Sequence, residues 1–177
     1  IASYNIEDGA EVSRINGLNA RGAAVSYVGF GPQAAGVLVT INDDTGAFQF
    51  YGVDNVSRLF TPLTGGPEVR GAVRGFCFGR AIGANEPSLF VVQKNKLEIF
   101  NLAFTAANAA SDISVDGQAT IETPDNLHHC AVDHNGMVLL ASDQGEIIQL
   151  TDEDAFNSPL ATAGVGETKG LGLLISM

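Results

Sequence analysis

Tryptophan is absent, cysteine occurs twice, and lysine plus arginine number 9 against 20 aspartates and glutamates. The missing indole weighs against lectin and WD-type repeats, which lean on that side chain. A net charge of −11 leaves no basic footprint, which excludes general nucleic-acid binding. That acidity suits a protein that attracts cations such as calcium, and plain solubility explains it equally well. Two cysteines, Cys77 and Cys130, are too few for a disulfide scaffold. Their simplest reading is a pair of buried free thiols packed as small apolar groups. A disulfide needs Cα atoms within about 7 Å, which sequence alone leaves open. No apolar run reaches the roughly 18 residues of a membrane helix, so no span is expected. Position 1 is Ile and no signal-peptide pattern follows, so the start reads as a processed or cut end.

What is present is glycine, 21 residues of it, concentrated at turns. Asp8-Gly9, Asp116-Gly117 and Asn135-Gly136 are hairpin dipeptides, with Thr45-Gly46 and Gln144-Gly145 in similar roles. Between them lie short runs rich in β-branched and aromatic residues: 36–41, 47–51, 88–93, 96–101, 137–142 and 146–150. Their length of about five or six residues is that of strands. Helical periodicity is slight. Residues 104–111 read as a long hairpin loop or a single helical turn, and 152–156 as a short turn. The expected class is all-β, built of antiparallel hairpins.

A repeat organises the chain. A short strand opens with a basic residue at Arg21-Gly22-Ala23-Ala24-Val25, at Arg74-Gly75-Phe76-Cys77-Phe78, at His128-His129-Cys130-Ala131-Val132 and at Lys169-Gly170-Leu171-Gly172-Leu173. The entries are 53, 54 and 41 residues apart. Each of the first three leads into an apolar strand, a polar turn, a second strand and a less regular segment. That is the layout of a four-stranded β-propeller blade, whose repeat runs roughly 40 to 50 residues. The expectation is an incomplete β-propeller: 1–17 the outer hairpin of one blade, 18–70, 71–124 and 125–165 three blades, and 166–177 the first strand of another. Three blades do not readily close a ring, so missing chain, a completing partner or self-association at open sheet edges is expected.

Four stretches, in collinear order, are similar to the bacterial β-propeller phytases. Residues 2–12, with Tyr4-Asn5-Ile6-Glu7-Asp8-Gly9, resemble that family's "YDLDGKEL" hairpin. Arg74–Phe78 followed by Leu89–Lys94 and Lys96–Phe100 resemble "YGLCLY … YVFVTNKEGKVEQW". His128–Asp133 through Gln144–Ile147 resemble "EGCVADDETGTLYVAEEDVGI", and Lys169-Gly170-Leu171 stands at "EGLTIY". The resemblance implies a six-bladed ring in which calcium ions, held by carboxylates at one mouth, polarise phosphates of inositol hexakisphosphate for attack by water. It also implies an extracellular or periplasmic location.

The same resemblance shows departures. Arg74 stands for a tyrosine, and His128 and Lys169 for glutamates; Arg21 or Ala24 falls near a family aspartate. Ser142 replaces one glutamate while Asp143 keeps an acid, Asp43 stands for an arginine, and Lys94 matches a phosphate-contacting lysine. Calcium needs several anionic oxygens at about 2.3–2.6 Å, so cations in their place remove ligands and add repulsion. Asp43 and Asp143 remain as metal-ligand candidates, and no strongly bound calcium is expected. Arg21, Arg74, Lys94, His128 and Lys169 are candidates for phosphate or inositol-phosphate contacts without metal. The competing reading pairs them with acids such as Asp43, Asp133 or Asp143.

Two other constellations are weaker. His128, His129, Cys130, Asp133 and His134 are possible zinc ligands, but strand alternation turns His129 away from His128 and Cys130. Asn42-Asp43-Asp44-Thr45-Gly46 lacks the ligand spacing of a calcium loop and reads as a hairpin turn. Three functions therefore stand as expectations. One is a non-catalytic accessory or phosphate-binding module, beside or within a phytase that has a second domain. Another is an active phytase whose remaining ligands lie in further chain. The third is an interaction propeller unrelated to phosphate.

Overall fold

The computed structural model describes residues 1–5, 7–26, 34–54, 57, 59–81, 84, 86–104, 112–123, 126–133, 135–145, 147–150 and 161–163. Among them every regular element is a strand. In chain order these are β1 (Ala2–Tyr4), β2 (Glu11–Arg14), β3 (Ala20–Ser26), β4 (Ala34–Asn42), β5 (Phe48–Asp54), β6 (Phe60–Gly65) and β7 (Gly75–Gly79). Then follow β8 (Ser88–Val92), β9 (Lys96–Phe104), β10 (Asp112–Glu122), β11 (Leu127–Val132), β12 (Val138–Ser142), β13 (Ile147–Leu150) and β14 (Ala161–Ala163). Residues 105–111 and 152–156, where loops or single turns were expected, lie outside the described residues, as does 166–177.

The chain divides into two compact units, 1–69 with 103–114, and 70–102 with 115–177. In the first, β1 and β2 form a two-stranded ribbon around the Asp8-Gly9 turn. Asp8 accepts from the Ala10 amide at 2.9 Å, and Gly9 takes φ 70°, a conformation that glycine adopts without penalty. On the ribbon Arg14 hydrogen-bonds Glu11, with Nε to Oε1 at 2.9 Å, and this bond holds the Glu11 carboxyl below its ordinary range. The next four strands form an antiparallel meander, with Val25 opposite Leu38, Val39 opposite Phe50, and Gly52 opposite Thr61. β4 is inside it: Val37, Leu38, Val39 and Ile41 are buried on both faces, and Thr40 between them is buried as well. The β4–β5 turn is closed by Asn42, whose Oδ1 accepts from the amides of Asp44 at 3.0 Å and Thr45 at 2.9 Å. Its 42–46 stretch is a hairpin turn. At the other margin Asp112 and Ile113, the start of β10, pair in parallel with Thr64 and Gly65 of β6.

In the second unit β7, β8 and β9 run antiparallel, with Cys77 opposite Phe90 and Phe90 opposite Ile99, and β10 follows β9 in the strand order. β11 to β14 form a separate four-stranded antiparallel sheet. One apolar cluster joins them: Cys77, Phe90, Val92, Leu97 and Ile99 from the first group, and Leu127, Val138, Leu140, Ile148 and Leu150 from the second. By sequence, 18–70, 71–124 and 125–165 each carry four consecutive strands, but by hydrogen bonding β3 to β10 belong to one eight-stranded sheet, joined where β10 pairs with β6, and only β11 to β14 form a four-stranded sheet of their own.

The cysteines correct the expectation of free thiols. Cys77 and Cys130 form a disulfide with Cα atoms 5.5 Å apart, joining β7 to β11. They are separated by 53 residues, whereas the repeat from Arg74 to His128 is 54. That one-residue difference has a geometric cause. Alternate strand residues face opposite ways, so a bridge between one strand's front and the next strand's back joins residues of opposite phase.

Candidate functional site

The candidate residues lie where each group's first strand begins and its second ends. Register gives a common phase: Gly22 opposes Ile41, Gly75 opposes Val92, and His129 opposes Ala141. The residue before each is Arg21, Arg74 or His128, and irregular register at 20/22 and 127/129 marks a bulge at two of these positions. Two residues beyond each second-strand partner stand Asp43, Lys94 and Asp143. The same backbone bond holds both aspartates: Asp43 N–H donates to Asn19 O, and Asp143 N–H to Asn126 O, each at 2.8 Å.

Each aspartate faces its own entry residue. Arg21 Nε lies 3.8 Å from Asp43 Oδ1, both exposed. His128 Nε2 meets Asp143 Oδ1. Arg74, whose own group carries Lys94 in place of an aspartate, reaches the following group: its Nη1 lies 3.3 Å from Asp143 Oδ2 and 3.4 Å from Leu127 O. Both Asp143 oxygens are therefore engaged by cationic or ionisable partners. Lys94 is exposed and makes no ion pair among the described residues. Lys169 and His134 lie outside the described residues.

These pairs lie at the strand entrances and are open to solvent. The Asp143 side chain is 36% exposed, so solvent screening keeps their contribution small. Asp143→Asn is expected to cost at most about 1 kcal/mol of unfolding free energy, read from urea transitions, with the difference shrinking in high salt. A cost several-fold larger would assign the carboxylate a structural role that exposed pairs do not have.

The residues do not fit the calcium implied by the resemblance. Asp43 and Asp143 pair with Arg21, Arg74 and His128, and of the entry positions where the resemblance places acids, His128 holds one and Arg21 lies near another. The zinc reading loses its sulfur, because Cys130 is bonded to Cys77. His128 and His129 stand with ring centroids 5.8 Å apart.

Sequence reading missed a buried polar cluster beside Lys94. Glu98, buried on β9, accepts from Gln93 Nε2 at 3.0 Å and from Lys96 Nζ at 2.7 Å, and Gln93 also donates to Arg70 O at 3.0 Å. The signal was an acid in an otherwise apolar run, Leu97-Glu98-Ile99, since a buried carboxylate requires partners. The cluster fixes the 93–96 turn and brings the Arg70 backbone beside Lys94's neighbour. Compared with known proteins, the chain matches no protein-family model and no curated protein.

Proposed function

We propose that the chain is a non-catalytic segment of a phytase-type β-propeller, in which the strand-entry side chains pair with carboxylates rather than leave them for metal. The observation that carries this reading is Asp143, the acid retained at a family ligand position, with one oxygen on Arg74 and the other on His128. What supports the blade reading is the sequence of three runs of four strands, each opening on a basic entry residue. A place in an oxidising compartment, extracellular or periplasmic, goes with this reading and is compatible with the disulfide. The test is phosphate release from inositol hexakisphosphate with and without calcium. The expected result is no calcium-dependent release; sustained calcium-dependent turnover overturns the proposal.

A specific observation favours a metal-free anion contact within the same reading. Lys94 occupies the position that is Asp43 and Asp143 in the other groups, on the turn after β8, and Arg74 opens the strand paired with β8. Calorimetric titration with inositol hexakisphosphate in the absence of calcium is expected to show weak binding. Lys94→Ala should abolish it. Asp143→Asn, which frees Arg74 and His128 from their carboxylate, should tighten it by about three- to tenfold, the size of one modest charge interaction. Binding unchanged by both variants removes the anion site and leaves the non-catalytic reading in place.

A further inference from the structure

Two asparagines precede a glycine, in Asn16-Gly17 and Asn135-Gly136, and the fold treats the two pairs oppositely. An asparagine carboxamide is lost most readily before glycine, which has no side chain to keep its amide nitrogen from the preceding carboxamide. Asn16 and Gly17 lie between β2 and β3, both exposed. Among the described residues neither makes a hydrogen bond. Gly17 takes φ 68°, and a Cβ built there would meet nothing within 4 Å. The pair is also uncoupled from the bonded residues on either side. Ile15 N–H donates to Ile1 O at 2.8 Å, and Asn19 O accepts from Asp43 N–H at 2.8 Å, which leaves 16–18 as a bridge between them.

Asn135-Gly136 sits in the β11–β12 hairpin and is held throughout. The Asp133 carboxylate accepts from the Asn135 amide at 2.9 Å, from Asn135 Nδ2 at 3.3 Å and from the Met137 amide at 2.7 Å. Gly136 is buried, and its N–H donates to Asp133 O at 3.0 Å. The attacking nitrogen and the carboxamide of this pair are both occupied, whereas those of the first pair face solvent. We propose that Asn16 is a site of spontaneous deamidation and isoaspartate formation, and that Asp133 withholds Asn135 from the same reaction. The Gly17 amide nitrogen gives its proton to a solvent base and attacks Asn16 Cγ. A C–N bond forms, the Cγ–Nδ2 bond breaks, and the carboxamide nitrogen takes a proton from solvent and leaves as ammonia, which closes a cyclic imide. Water then adds to one imide carbonyl, and the bond from that carbon to the Gly17 nitrogen breaks. Opening at Cγ leaves aspartate; opening at the Asn16 main-chain carbonyl leaves isoaspartate. The chain gains a negative charge. The 16–18 bridge can take the extra backbone carbon of isoaspartate, because neither flanking bond spans it. In the β11–β12 hairpin the same carbon would part Asp133 N–H from Met137 O, its acceptor at 2.9 Å. The inference rests on neither the propeller nor the phosphate reading.

The test follows the full chain at mildly alkaline pH in water enriched in heavy oxygen. Peptide mass spectrometry reads the amide-to-acid conversion, and enzymatic methylation of isoaspartyl carboxylates reads the rearranged product. In the folded chain Asn16 should react at least about tenfold faster than Asn135, whose turn must first give up two hydrogen bonds by local opening. In denaturing urea the two rates should converge. Asp133→Ala should raise the folded rate at Asn135 by about tenfold and leave Asn16 unaffected. Asn16→Gln should remove the fast event, and the modified chain should keep the parent's circular dichroism. Equal folded rates at 16 and 135, an Asn16 that reacts only in urea, a rate ratio that persists in urea, or loss of β-structure on modification would each overturn the inference. None of these outcomes bears on the phosphate-release assay, so the two readings fail separately.

Discussion

Reducing the Cys77–Cys130 bond is expected to lower the unfolding free energy by about 2–4 kcal/mol and the melting temperature by roughly 5–15 °C. The bond closes a loop of 53 residues that runs from β7 through β10 into β11. Chain-entropy arguments give about 4 kcal/mol for a loop of that length, and measured bonds commonly deliver less. Packing adds little to the difference. Cys77 belongs to the core cluster and Cys130 packs against it, and two thiols fill the same volume as the bonded pair. The effect therefore acts through the unfolded chain. Urea transitions of oxidised protein, reduced protein and the Cys77→Ala, Cys130→Ala double variant check it. Reduced protein should lie close to the double variant, which also loses the sulfur volumes, and both should lie well below the oxidised form. Equal midpoints for oxidised and reduced protein would mean that packing of β11 on β7 suffices without the covalent link.

That bond also shows where the sequence stops being legible. Strands such as β4, β8 and β12 could be read from apolar runs ended by turn residues, because burial and turn chemistry are local properties. The 21–74–128 repeat was legible for the same reason: each entry carries its own basic residue and its own strand. What joins the repeats was not. Whether Cys77 and Cys130 are bonded was left open by the sequence, because the distance between their strands is not a local property. The spacing of 53 against a repeat of 54 sets them one residue apart in phase, but that β7 and β11 pack against each other is a property of the folded chain alone.

The candidate site has the same division. That Arg21, Arg74 and His128 share a repeat position was visible, and pairing with Asp43 or Asp143 was one of two readings. The crossing of Arg74 to the next group's aspartate, 69 residues away, was not. It follows from Lys94 displacing the acid in Arg74's own group, so that its nearest carboxylate belongs to the group that β11 opens. The two-residue parallel contact of β10 with β6 has no sequence signal either, since nothing in Asp112-Ile113 distinguishes that contact from an antiparallel one.

Gly75→Ala is expected to cost about 2–3 kcal/mol, at the upper end of the range for overpacking. The added methyl would stand 2.3 Å from the His128 carbonyl oxygen and 3.2 Å from the His129 Cα. Both are backbone atoms, so relief requires moving β11 rather than rotating a side chain. A displaced β11 also shifts Cys130 against Cys77 and carries His128 and Leu127 O away from Asp143 and Arg74. Gly79→Ala provides the graded comparison: its methyl meets the Val132 side chain at 2.9 Å, which can yield partly, and about 1 kcal/mol is expected. Gly117 lies within β10 rather than in a hairpin turn, and its nearest atom is the Asn101 amide nitrogen at 3.3 Å, the end of a side chain rather than backbone. There the loss of glycine's unfolded-state freedom offsets the contact, and Gly117→Ala should stay within about 0.5 kcal/mol of the parent. The order 75, then 79, then 117 in urea midpoints is what strand-on-strand contact requires. If all three cost the same, the glycines serve turn and strand conformation generally, and the close approach of β11 to β7 is not what selects them.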